Sequence, residues 1–223
     1  MKKTPLRRAF VNELKTLDSQ FTKMGILTCK AIEEAVDALL LHHTEAAHHV
    51  IDNDKVINEL EREIDRECFR LISLQGPIGD ELRFIIAIIK ASSDLERMGD
   101  HAVSIARGVL KVNDEPRMKN VEADLEKMAD TVIKMADAAV SAFIVRDEQR
   151  AKEIAEMDHE VDHYFSALMP IILEDMKSNP KYILTGSSYI SIISNLERMG
   201  DYVTNLCERI IFLDEGKVVN LND

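Results

Sequence analysis

Ser92–Ala106 reads SSDLERMGDHAVSIA, and Ser194–Glu208 reads SNLERMGDYVTNLCE. The hexapeptide LERMGD occupies Leu95–Asp100 in the first stretch and Leu196–Asp201 in the second, 101 residues on. An identical hexapeptide in matching surroundings marks an internal duplication. The flanking sequence agrees. MGILTCKAIEEAVDAL from Met24 lines up with MADTVIKMADAAVSAF from Met128, and Asp54–Ile57 lines up with Asp158–Val161. That offset is three residues longer, a difference absorbed between the second and third elements of each copy.

Every element of the repeat has a helical period. In the last one, Tyr189, Ile192, Leu196, Met199, Val203, Leu206 and Ile210 recur every three or four residues. Its counterpart gives Ile88, Ala91, Leu95, Met98, Ala102, Ile105 and Val109. Ile57, Leu60, Ile64, Cys68 and Leu71 mark the second helix, and Val161, Phe165, Leu168 and Ile172 the fifth. Thr44 and Asp147 are the expected caps of those two helices. Gly79-Asp80 is placed to open the third helix, Asn179-Pro180 the sixth and Pro116 the fourth. The fold expected is all-α: two tandem three-helix bundles, 6–112 and 116–214, followed by a short polar tail, 215–223.

Composition fits that reading and narrows the function. Apolar residues make up 46% of the 223, enough for a sizeable core, and 8 Gly with 5 Pro is too few for a loop-rich chain. The net charge of −12 repels nucleic-acid phosphates and anionic lipid, and suits cations and basic partners. Cys29, Cys68 and Cys207 are scattered and odd in number, which points to reduced core residues in a cytoplasmic protein. The basic N-terminus lacks the apolar run of a signal peptide, and the longest apolar run, Phe84–Ile89, is far short of a bilayer span.

The chemistry-bearing residues are carboxylates. With Ile192 at the centre of the buried stripe, Glu197 and Asp201 fall roughly 140° and 180° away, one turn apart and facing outward. Glu96 and Asp100 sit identically in the first copy. Such an i, i+4 pair grips a hard or borderline cation, and like charges so placed repel without one. Asp54, Asn58, Glu61 and Asp65 form a second line at the edge of the second helix's stripe, with Asp158 and Asp162 on the fifth. Two acidic lines from two helices of one bundle make a candidate carboxylate-bridged metal site. A lone ExxxD is usually a solvated face, but here the outward acids are repeated along with the core residues. Gly99 and Gly200, mid-helix where Gly costs about 1 kcal/mol against Ala, suggest a close approach by another element.

Other groups are less specific. His159 and His163 have zinc-ligand spacing beside Asp158 and Asp162, yet exposed histidines beside acids are commoner. Glu45 and His48 form a single ExxH, where a di-iron bundle wants that motif on each of two helices. His42, His43, His48 and His49 read as a decorated turn. No phosphate-binding loop, nucleophile elbow or dinucleotide fingerprint occurs. A binding protein is therefore expected in preference to an enzyme. A carboxylate-bridged di-iron-type metalloenzyme and a metal-independent helical adaptor are the alternatives.

The two LERMGD segments, with DNDKVINELEREID at Asp52–Asp65, resemble the signature segments of the PhoU family, and the resemblance covers nearly the whole chain. It implies two three-helix bundles related by a pseudo-twofold axis. It implies iron or zinc clusters held by E/DxxxD motifs, here Glu96/Asp100, Glu197/Asp201 and Asp158/Asp162. Asn58 stands in the first copy where Asp162 stands in the second, although Glu61/Asp65 also fits the motif. The function implied is negative regulation of phosphate uptake and of the phosphate-starvation response. The partners implied are the cytoplasmic components of the phosphate ABC transporter and a membrane sensor histidine kinase. Homodimers are also implied, and the net charge of −12 argues that membrane proximity comes through protein partners.

Overall fold

The computed structural model describes the backbone of residues 5–41 and 43–222 and the side chains from Arg8 onward, so His42 of the decorated turn lies outside the described residues. The first copy is α1 (Pro5–Leu41), α2 (Thr44–Gln75) and α3 (Asp80–Lys111). The second is α4 (Lys119–Val145), α5 (Glu148–Glu156), α6 (Asp158–Ser178) and α7 (Ile183–Glu215), the last entered through a single 3-10 turn, Pro180–Tyr182. No strand occurs among the described residues.

The six-helix order holds, with the fifth helix interrupted at Met157. There the amide of Met157 bonds the carbonyl of Ile154, three residues back, and Glu160 bonds Met157 in the same tight manner. This local 3-10 winding separates α5 from α6 inside an otherwise helical run. Pro170, inside α6, does not end it.

The expected helix ends are partly corrected. Asp147 caps α5, its carboxylate accepting from the Arg150 amide at 2.9 Å. Asn179 likewise accepts from Lys181, and Gly79 precedes Asp80 as the N-cap of α3. Thr44 is not a cap: it is the first helical residue, behind His43, which makes no side-chain cap bond. Nor does Pro116 open α4. Its carbonyl accepts from Thr185 Oγ1 at 2.8 Å, which pins the linker to α7 before Met118, buried at the N-cap, begins the helix.

One apolar core runs through both copies. α3 and α7 lie antiparallel at its centre, and both are buried on several sides, as the spread of buried positions along each shows. α1 and α4 close the other side of the joint. The Phe21 and Phe143 rings meet there at 4.4 Å. A Cβ on Gly25 would lie 2.7 Å from Val140 Cγ1, so only glycine lets α1 come this near α4. The three cysteines are free and buried, as small core residues. The tail is less solvated than its composition suggests: Val219 and Leu221 pack against the core, and the Leu221 amide donates to Glu208. No described helix is long and apolar enough to cross a membrane.

Candidate metal centre

Each copy brings its two acidic lines together. In the first, Asp54, Asn58, Glu61 and Asp65 on α2 run beside Glu96 and Asp100 on α3. Burial raises the Glu96 carboxyl above its ordinary value, and the charges of Asp100, Glu61 and Asp54 raise it further. Asp54 is raised first by burial and then by Asp100, against a hydrogen bond accepted from Asn58 Nδ2 at 2.9 Å. Glu61 is raised by burial and by Asp65. Four carboxylates from two helices thus feel one another, with Asp65 one turn beyond.

In the second copy, Asp158 and Asp162 on α6 face Glu197 and Asp201 on α7. Asp158 is pushed up to about 7, by burial first and then by the charges of Asp162, Asp201 and Glu197. Glu197 and Asp201 are raised by burial and by the neighbouring acids, with Arg198 opposing. Thr204, whose buried hydroxyl lacks a partner in hydrogen-bonding geometry, offsets the rise of Asp158 only slightly.

Of the four carboxylates that a single-stripe helical wheel places on an outer face, only Asp100 is exposed. Glu96, Glu197 and Asp201 are half-buried. Because α3 and α7 are central helices with neighbours on several sides, the side opposite the main stripe is roofed by α2 or α6. Asp100 and Asp162 remain exposed at the groove edge.

The glycines act at this seam, unequally. A Cβ on Gly200 would overlap Asp158 Oδ1, so Gly200 makes the space in which that carboxylate sits. A Cβ on Gly99 would meet Ile57 Cδ1 at 3.4 Å, an ordinary contact.

Asp54 Oδ1, Asn58 Oδ1 and Asp65 Oδ1 are buried acceptors without a donor, a state that costs free energy unless something satisfies it. Like charges crowded in both grooves add to the same need. The donors are all oxygen, which suits hard cations, and both iron and zinc accept carboxylate. Among the described residues, no three His, Cys, Asp or Glu side chains stand already converged to hold an ion, so binding would draw the acids inward. His159 and His163 are exposed, as are Glu45 and His48 in the first turns of α2.

Three features escaped the sequence. A cavity of about 240 Å³ opens beside Asp54, bordered by Lys30, Glu34, His49, Asn53 and Gly99. Thr204 joins the second groove, where its counterpart in the first copy is Val103. Asp94, Glu208 and Arg209 meet where α3 packs on α7: Arg209 Nε lies 3.9 Å from Asp94 Oδ2 and Nη1 3.5 Å from Glu208 Oε2. None of these is duplicated, so the repeat that exposed the other acids gave no signal for them.

The comparisons fall on the same two units. The family model described as the PhoU domain matches residues 21–109 and again 125–210. A Streptococcus pneumoniae protein called "Phosphate-specific transport system accessory protein PhoU homolog" is 36% identical, covering 97% of this chain and 100% of that one. A Clostridium acetobutylicum protein of the same description is 32% identical over 97% and 99%. Among solved structures, the phosphate transport system regulatory protein PhoU from Streptococcus pneumoniae superposes with a TM-score of 0.88 at 35% identity, covering 95% of this chain and 99% of that one. PhoU from Pseudomonas aeruginosa gives 0.89 at 33%, covering 93% and 100%.

Proposed function

The chain belongs to the PhoU domain family, and from that premise we propose that it serves phosphate transport as an accessory regulator. It acts as a negative regulator, holding back the phosphate ABC transporter and the starvation response while phosphate is plentiful. It works by protein contact with the transporter's cytoplasmic components and with a sensor histidine kinase, from the cytoplasm and as a homodimer. No nucleophile, base and oxyanion-stabilising set converges in either groove, so binding is the activity to test.

The observation that carries the site reading is the pair of equivalent carboxylate grooves, one per copy, each with raised acids. Glu96, Asp100, Asp54, Glu61 and Asp65 would hold iron or zinc in the first groove, and Asp158, Asp162, Glu197 and Asp201 in the second. Bound there, a cation supplies positive charge that offsets the crowded acids and ties α2 to α3 and α6 to α7. Asn58, neutral where Asp162 is charged, leaves the first groove one carboxylate short at that place. The second groove therefore holds metal more tightly.

Two measurements test these readings separately. Deleting the gene is expected to raise phosphate import and starvation-gene expression in replete medium; unchanged import removes the regulatory reading. Elemental analysis of purified protein is expected to lose its metal when Glu96, Asp100, Glu197 and Asp201 are all replaced by Ala, with the helical signal retained. Unchanged stoichiometry removes the metal reading and leaves the adaptor.

A further inference from the structure

The seam where α3 crosses α7 carries an arrangement that the carboxylate grooves do not explain. His101 and Tyr202 follow Asp100 and Asp201, so they are equivalent positions of the two copies. Their rings stack on each other, 5.6 Å apart and 27° from parallel. The axis that relates the copies therefore runs between these two rings. Arg97 and Arg198 are equivalent as well, and both are exposed. Arg97 lies over the Tyr202 ring at 5.7 Å and donates to its hydroxyl at 3.3 Å. Arg198 makes no hydrogen bond or ion pair among the described residues.

The seam can be followed by its contacts: Arg209 beside Asp94, His101 on Asn195 at 2.7 Å, Ser188 on the Gly108 carbonyl at 2.9 Å. Along it Lys90, Arg97, Lys111, Arg198 and Arg209 project from a stripe within about 80° of His101 or Tyr202. Of the acids beside it, half-buried Asp94 lies against Arg209, and buried Glu208 pairs with Arg209 and accepts from the Leu221 amide, while Asp100 and Asp201 stand about 20° beyond the edge of the stripe. A protein of net charge −12 thus presents a cationic and aromatic seam on its internal axis, about 30 Å long from Lys90 to Lys111.

We infer that this seam is a docking face for an acidic helical segment of a partner protein. Exposed arginines and a half-buried tyrosine are the residue types that anchor interfaces, and guanidinium groups take carboxylates in two-pronged fashion. The length matches a helix of about 20 residues. Width selects the class of partner. Glu96 and Glu197 stand directly beside Arg97 and Arg198, so cationic potential is confined to the seam. A single helix fits within it. A lipid surface or a nucleic-acid duplex extends over the flanking acids and is repelled. The flanking acids also set the strength, since neutralising them makes the whole face more positive. The inference does not require the phosphate-transport role, because its test reads binding alone.

The test uses fluorescence anisotropy of a labelled helix-forming peptide with Glu at every third or fourth position, and its Lys-for-Glu counterpart. The full chain is expected to bind the acidic peptide and not the basic one, more weakly as salt rises. Arg97→Glu with Arg198→Glu is expected to weaken binding at least tenfold, and Glu96→Gln with Glu197→Gln to strengthen it. Arg62→Glu with Arg66→Glu, the same change in net charge on the exposed side of α2, is expected to leave it within about twofold. Absence of binding, or equal loss in the Arg62/Arg66 control, overturns the inference. So does pelleting with phosphatidylserine vesicles that is abolished by the Arg97/Arg198 reversal, which assigns the seam to a membrane. Dissociation of a dimer by that reversal in sedimentation velocity assigns it to a second copy of the chain and overturns the inference equally.

Discussion

Gly99 and Gly200 hold the same place in the two hexapeptides but face different neighbours. Added at Gly200, a methyl group overlaps the Asp158 carboxylate, whereas at Gly99 it rests against Ile57. Gly200→Ala is therefore expected to destabilise by about 1–3 kcal/mol through overpacking. Gly99→Ala should be neutral or stabilising by up to about 1 kcal/mol, as Ala usually is within a helix. Chemical denaturation of both variants checks the contrast, and equal shifts would refute it. Asp94 provides a second residue-scale test. Burial pushes its carboxyl up to about 6, with the Arg209 guanidinium opposing. A raised carboxyl in the folded state means that the folded protein holds the proton more tightly. The stability it contributes is full below the ordinary value near 3.8 and is lost as pH rises through about 6. Between pH 4 and 7 the metal-free protein should lose on the order of 2 kcal/mol from this group, and Asp94→Asn should flatten that part of the profile. A wild-type slope in the variant would place the pH sensitivity elsewhere.

Helix ends show which parts of the elements can be read in the sequence. Thr44 and Asp147 look alike as capping residues, yet only Asp147 accepts a backbone amide. Asp147→Ala should cost about 1 kcal/mol, and Thr44→Ala a few tenths at most, as compared by thermal melts. The apolar periods of α3 and α7 were plain because each has a continuous buried stripe. The carboxylates on the same helices could be listed, because duplication repeated them, but their burial could not be foreseen. A wheel centred on Ile192 assumes one packed side, and α7 is buried from Thr185 to Leu213 on several. Likewise the break at Met157 carries no Gly or Pro to announce it. It arises where the chain enters α6 at the Asp158 carboxylate that sits against Gly200. The seam of Arg97 and Arg198 was present in both hexapeptides, but what it faces depends on how the two copies cross.

For the whole molecule, the main fact is that the duplication did not produce two independent bodies. Phe21 rests on Phe143, Gly25 on Val140 and Ser188 on Gly108, so each copy completes the core of the other. A chain truncated after residue 112 would leave the partner-facing sides of α1 and α3 in water, and is expected to aggregate on expression. This is checked by soluble yield against the full chain. The linker tells the complementary story. Asn113 and Asp114 are exposed, while Val112 and Met118 on either side are buried and the Pro116 carbonyl is held by Thr185. Cleavage at that turn would remove covalent continuity and little else. The gene can accordingly be split there, and two half-length polypeptides made in one cell should find each other and rebuild the native particle.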